Sequence, residues 1–160
     1  MASRLLSLAR GSVRSGRLLA LRNYTNGEIA IPLTFSSPNS TFYDNVNVKQ
    51  VDVSSTTGTF GILPHHVPSI AVLQPGLVTV YETDKTQKYF ASSGTVTVNA
   101  DGTVQILAEE AYPLDMFDAQ AARQGLDKCK QQRSSASSDA ERAEADIGIE
   151  LYENLIKALE

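Results

Sequence analysis

Thr95-Val96-Thr97-Val98, the turn Ala100-Asp101-Gly102 and Thr103-Val104-Gln105-Ile106-Leu107-Ala108 make up the stretch whose reading decides the fold. Apolar and polar residues alternate on both sides of an Asp-Gly turn, and a strand places every second side chain on the same face. Val96, Val98, Val104, Ile106 and Ala108 therefore share one side of an antiparallel hairpin. Upstream, Leu77 to Tyr81 turns at Asp84-Lys85 into Lys88-Tyr89-Phe90-Ala91, and Ser93-Gly94 turns again. Ile70-Ala71-Val72-Leu73 stops at Pro75-Gly76, and Ile31-Pro32-Leu33-Thr34-Phe35 stops at Ser37-Pro38-Asn39-Ser40. Val46 and Val48 share a phase that Val51 and Val53 miss by one residue, which predicts a β-bulge. Turn signals at this spacing, with β-branched enrichment, predict an antiparallel β-sandwich or barrel over residues 25–112.

The composition changes at Pro113. Asp115, with Asp118 three residues on, can cap a helix whose positive end suits acids. Ala119, Ala122, Leu126, Cys129 and Arg133 then recur at spacings of three and four. Ser134 to Ser138 reads as a linker, and Ser138-x-x-Glu141 is a capping-box pattern. Beyond it Ala143, Ile147, Leu151, Leu155 and Leu159 recur at intervals of four. Residues 113–160 thus form an antiparallel helical hairpin, so the fold class is α+β, sandwich first and hairpin second. A contact rich in alanine buries little area, and a hairpin so built needs a neighbour to dock on. Gly125 and Gly148 lie inside the helices, where each costs about 1 kcal/mol relative to alanine. They are either tolerated surface positions or close-contact positions.

Residues 1–24 carry five arginines (Arg4, Arg10, Arg14, Arg17, Arg22), interleaved serines and leucines, and no acid. This is the composition of a mitochondrial presequence, and Arg10, Arg14 and Arg17 break any secretory apolar run. Arg22-Asn23-Tyr24-Thr25 resembles a processing site, placing cleavage after Tyr24. The chain has 14 Lys and Arg against 18 Asp and Glu, so removing those five arginines leaves an acidic protein poorly suited to nucleic acid. Cys129 is the one cysteine, which permits no internal disulfide and fits a reducing compartment. No apolar run approaches the roughly 20 residues that span a bilayer.

The chemistry-bearing patterns are few. The sequence holds no phosphate loop, no nucleophile elbow and no His-Glu-x-x-His. His65-His66 lacks an evident third ligand, so no metal is expected, and one of the pair is read as a bonded loop residue and the other as an exposed contact. Glu109-Glu110 at a strand end splays into solvent, and Cys129 packs as a small stripe residue. No catalytic residue and no cofactor is expected. The segment from Thr56 to Pro68 is the most unusual. Gly58 and Gly61 permit tight turns, Pro64 and Pro68 fix φ, and Phe60, Ile62 and Leu63 add apolar surface. It reads as a stiff loop that contacts a partner, while Ile62 and Leu63 are equally suited to tucking into the sandwich.

Gly58-x-x-Gly61-Ile62-x-Pro64-x-His66-x-Pro68, followed by Pro75-Gly76 and by Lys88-Tyr89-Phe90-x-x-Ser93-Gly94, resembles the signature of one F-type ATP synthase subunit family, called delta in mitochondria and epsilon in bacteria and chloroplasts. The resemblance runs from about Ile31 to Glu160. It implies a non-catalytic central-stalk subunit that couples the proton-driven c ring to the gamma shaft and meets a small epsilon subunit. The implied location is the matrix side of the mitochondrial inner membrane, peripheral through the c ring. By the same resemblance Gly58, Thr59, Phe60 and Gly61 meet the c ring, and His66 and Ser69 meet gamma. Bacterial relatives bind ATP through an apolar-Asp-x-x-Arg-Ala motif. Asp139 and Arg142 match it in part, but Ser138 holds the apolar position and Ile149 stands where another arginine is wanted, so nucleotide binding is not expected. The rival reading is a stand-alone mitochondrial β-sandwich module that binds another protein.

Overall fold

The computed structural model describes residues 30–160; the presequence reading and its cleavage point lie outside the described residues. Ten strands come first: β1 (Ile31–Ser37), β2 (Ser40–Val48), β3 (Gln50–Ser55), β4 (Gly58–Ile62), β5 (Ser69–Leu73), β6 (Gly76–Tyr81), β7 (Thr86–Ala91), β8 (Gly94–Val98), β9 (Val104–Ala108) and β10 (Ala111–Pro113). A 3₁₀ turn at Leu114–Met116 leads to helices α1 (Ala119–Ser135) and α2 (Asp139–Leu159). The strands run in the order β10-β7-β6-β3-β5-β8-β9-β1-β2, with β4 paired to β3 off this path. Ser55 opposite Leu73 is the one bridge between β3 and β5, and there the sheet curls so that both halves face a common core.

Period-two burial builds that core. Ile31, Leu33 and Phe35 on β1, Val51 and Val53 on β3, and Val104, Ile106 and Ala108 on β9 all point inward. Phe35, Phe42, Tyr43 and Tyr89 form an aromatic cluster in which Phe35 meets Tyr89 edge-on at 5.3 Å. The Tyr43 hydroxyl donates to Glu82 Oε1 at 2.8 Å, and burial holds its proton well above the usual phenol range.

Three expectations are corrected. β1 runs parallel to β9, so the sandwich is not wholly antiparallel; strands this distant in sequence have no hairpin to set their direction. The phase slip between Val48 and Val51 is a corner, since at Lys49 the chain leaves β1 as partner and its amide bonds Tyr81 O on β6 at 2.8 Å. The irregular register falls earlier, between β1 and β2, where Asn45 takes φ 52 and Val46 is exposed while Val48 is buried. The cap of α1 is Asp118, whose side chain accepts from the amides of Gln120 and Ala121; Asp115 falls in the preceding 3₁₀ turn.

Helix α2 shows why a row at intervals of four misleads. Four residues advance 400°, so such a row drifts about 40° per step around the axis. Ile147 at one end is exposed while Leu155 is buried, and Ala145 faces inward from outside the row. Arg133–Asp146, Lys130–Glu153 and Arg123–Glu160 ion pairs cross the hairpin in antiparallel order. The helical glycines prove to be contact positions. A Cβ on Gly125 would sit 2.4 Å from Tyr152 Cζ, and one on Gly148 would sit 2.8 Å from Cys129 Sγ. The hairpin docks through Leu155 and Ala122 onto Phe90, with Leu151, Tyr152, Leu159, Leu114 and Phe117 around them. That contact makes Val78-Thr79-Val80 and Tyr89-Phe90-Ala91 buried on consecutive residues, because both faces of β6 and β7 are covered there.

The capping box of α2 is complete. Ser138 Oγ accepts from the Glu141 amide at 3.2 Å, and Glu141 Oε2 accepts from the amides of Ser137 at 2.7 Å and Ser138 at 3.2 Å. Those bonds hold the Glu141 carboxyl below its ordinary range. A depressed folded value means that the bonds stabilise fully above the ordinary glutamate range and are lost as pH falls through the lowered value. The Ser137 and Ser138 amide shifts are therefore expected to titrate together in acid, below the ordinary glutamate range. Glu141→Gln should abolish that titration, and amides that stay flat in the native chain would contradict it.

Candidate interaction site

The segment from Thr56 to Pro68 divides in two. Ser55 and Gly58 face each other across the two-residue turn Thr56-Thr57, so Gly58 to Ile62 is strand β4, not the loop expected from its glycines. Ser55 Oγ donates to Gly58 O at 2.7 Å and accepts from the Thr57 amide at 3.3 Å, which closes the turn. Gly58 takes φ 121, a conformation that side chains disfavour, with open space where a Cβ would stand. Gly58, Thr59 and Gly61 are exposed, whereas Phe60 is half-buried against the main core and Ile62 is fully buried. Of the two readings left open, Ile62 tucks in and Leu63 stays out, at 55% exposure.

The second part, 63–68, is a true loop. The His66 amide bonds Leu63 O at 3.1 Å, and His65 adopts φ 66. His66 Nδ1 lies 2.8 Å from Val67 O, which requires the proton on that nitrogen. The His66 ring stands 6.3 Å from that of Phe60, so residues assigned to two partners by resemblance share one surface. Ser69 follows as the first residue of β5, paired with Val98.

Sequence reasoning missed what lies beside it. Ile70 and Val72 project outward from β5, and Leu107 projects from β9, at 76%, 54% and 55% exposure. Val72 pairs with Thr95 and Thr95 with Leu107, so these side chains share the outer face of β5-β8-β9. The remaining outward positions there are Thr95, Thr97 and Gln105, and no charge interrupts the face. Leu63 and Val67, in the loop that precedes β5, are exposed as well. The signal was present, since Ile70-Ala71-Val72-Leu73 is apolar on both faces although a two-layer sandwich needs only one.

The other candidates disperse. Asp139 and Arg142 pair with each other at 3.6 Å on the solvent side of α2. The neighbouring bases Arg133 and Lys130 are engaged by Asp146 and Glu153. Glu109 accepts from the Ser93 hydroxyl at the surface. Among the described residues no group of three His, Cys, Asp or Glu converges on a metal position, and no helix is long and apolar enough to cross a membrane.

Comparisons with known proteins agree on one family. Residues 30–114 match the model of the ATP synthase delta/epsilon chain β-sandwich domain. The mitochondrial ATP synthase subunit delta of Caenorhabditis elegans is 48% identical over 127 residues, 79% of this chain and 77% of that protein. The subunit of the same name in Saccharomyces cerevisiae is 36% identical over 156 residues, covering 95% and 96%. A chain in the mitochondrial ATP synthase structure of Euglena gracilis superposes with TM-score 0.78 at 24% identity over 97% of this chain and 91% of that one, which shows a shared fold.

Proposed function

The chain belongs to the ATP synthase delta/epsilon family, and from that membership we propose that it is a central-stalk subunit of the mitochondrial ATP synthase. In this role it sits on the matrix side of the inner membrane and couples rotation of the c ring to the gamma shaft. Its contribution is mechanical, and the isolated chain is expected to show no turnover. Residues 1–24 serve as the import presequence, and the mature chain comprises the sandwich and the hairpin.

The match over 95% of this chain and 96% of the yeast mitochondrial subunit delta is the observation that carries this reading, and the uncharged outer face of β5-β8-β9 is the surface that fits a partner in it. Ile70, Val72 and Leu107 stand on one uncharged face, with Thr95 between Val72 and Leu107, which marks an interaction surface on a protein with an otherwise acidic mature chain. The loop that carries His66 leads directly into β5, on which Ser69 lies in the inward phase opposite Val98, so the gamma shaft is assigned to this loop and the outer face of the strand that follows it. The turn of the β3–β4 hairpin, with Gly58 and Thr59 at its end, is assigned to the polar loops of the c ring, and Phe60 and Gly61 position that end from within the strand. Nucleotide binding at Asp139 and Arg142 is not part of the proposal.

Val72→Asp tests the assignment. The side chain is more than half exposed, so the isolated fold should tolerate the change, but a charge would be buried without a partner in the interface. On native gels of mildly solubilised mitochondria the unaltered chain should comigrate with the band stained for ATPase and stay with the free catalytic head. Val72→Asp should abolish that comigration while leaving thermal stability unchanged. Recovery of the unaltered chain only as a small soluble species would reject the stalk reading in favour of an independent binding module.

A further inference from the structure

Among the described residues strand β4 pairs with β3 alone, so the hairpin assigned to the c ring hangs on a single ladder of backbone bonds. Edge hairpins of this kind open readily, and a turn of Thr56-Thr57 lacks the Asn-Gly or Asp-Gly chemistry that favours two-residue connections. An element that transmits torque cannot be the softest part of the molecule.

Two side chains of β3 supply stiffness from below. Ser55 is fully buried, and its hydroxyl joins Gly58 O at 2.7 Å, the Thr57 amide at 3.3 Å and Thr57 Oγ1 at 3.0 Å. The hydroxyl thus clamps both sides of the turn. Nearer the middle, Asp52 Oδ1 accepts from Gln50 Nε2 at 2.6 Å and Oδ2 accepts from the Tyr81 hydroxyl at 2.9 Å. Tyr81 lies on β6, so this carboxylate ties the hairpin sideways into the centre of the sheet. Gly61 stands opposite Asp52, and a Cβ there would come within 2.8 Å of Asp52 Oδ1 and 3.3 Å of Gln50 Nε2. The bare glycine leaves room for the carboxylate to reach both partners.

We propose that Ser55 and Asp52 are positioning residues that hold the β3–β4 hairpin rigid against the rotor, with Tyr81 carrying the load into β6 and Gly61 providing the space. This rests on the assignment of the hairpin tip to the c ring. Neither residue touches a partner; each acts through the hairpin.

The test uses the full chain within the assembled synthase, in Ser55→Ala and Tyr81→Phe forms. The second keeps the ring and removes one surface hydroxyl, so it remains informative should Ser55→Ala fold poorly. Amide exchange at Thr57 and Phe60 should accelerate roughly tenfold, the consequence of losing about one hydrogen bond. Complex assembly on native gels should be unchanged, while protons pumped per ATP hydrolysed in inverted membrane vesicles should fall. Thr59→Trp serves as the contact control. Loss of coupling in Thr59→Trp with normal coupling in both brace variants would overturn the bracing role and leave the ring contact standing. Normal coupling in all three would remove the ring contact, and the bracing role with it.

Discussion

Gly94→Ala should cost the chain roughly 4 kcal/mol or more and lower its melting temperature by about 10 °C or more. Gly94 opens β8 at φ 154, and a Cβ there would lie 2.1 Å from Leu107 O and 2.8 Å from Ala108 Cα. Both are backbone atoms of β9, so no side chain can swing aside. Gly94 pairs with Leu73 on one side and Ala108 on the other, which fixes β8 between two neighbours. Relief would require moving β8 off β9, and Val96, Val104 and Ile106 are all buried immediately below. Gly102 separates the two contributions to the cost. It takes φ 88 with nothing within 4 Å of where a Cβ would stand, so Gly102→Ala carries the conformational penalty alone, on the order of 1–2 kcal/mol. Thermal unfolding of the two variants and the parent measures the difference. Equal destabilisation at both positions would mean that the close approach at Gly94 relaxes without cost.

How legible these features are in the sequence depends on how many layers decide them. The strands β8 and β9 read correctly because one covered face and one open face produce clean alternation, as in Val104, Ile106 and Ala108. The strand β4 was hidden because Gly58 and Gly61 imitate turn residues. Their reasons are local to the fold: one sits at positive φ and the other opposite the Asp52 carboxylate. The helices are recognisable from their spacing and α2 from its capping box, but the docking face of α2 is not, since a row of every fourth residue rotates away from the contact that Leu155 makes. The interaction surface shows the same limit more sharply. Tyr89-Phe90-Ala91 and Ile70-Ala71-Val72-Leu73 are both apolar on two faces. The hairpin covers the first and leaves the second open, and nothing within either run distinguishes them. Only the placement of a distant helix separates a core strand from a docking strand.

Leu155→Ala should undock the helical hairpin while the sandwich stays folded. The contact between the two parts is small, with Phe90, Ala122 and Leu155 as its buried members. Truncating a buried leucine typically costs about 2–5 kcal/mol, the lost transfer energy plus the cavity. What remains is weak by comparison. The ion pairs that cross the hairpin are exposed and worth about 0–1 kcal/mol each. The interhelical seam relies on close approach at Gly125 and Gly148, which buries little apolar area. Helices of 17 and 21 residues are marginal in water without a surface to pack on. The sandwich has its own core of nineteen buried residues and loses only the cover over Phe90. Far-UV circular dichroism should therefore show a reduced helical signal at a temperature where the parent is fully folded. In the same sample, amide exchange should accelerate across α1 and α2 while Val96 and Ile106 keep their protection. Uniform loss of protection would show that sandwich and hairpin unfold as one cooperative unit, and unchanged helices would show that the seam, not Leu155, holds the hairpin in place.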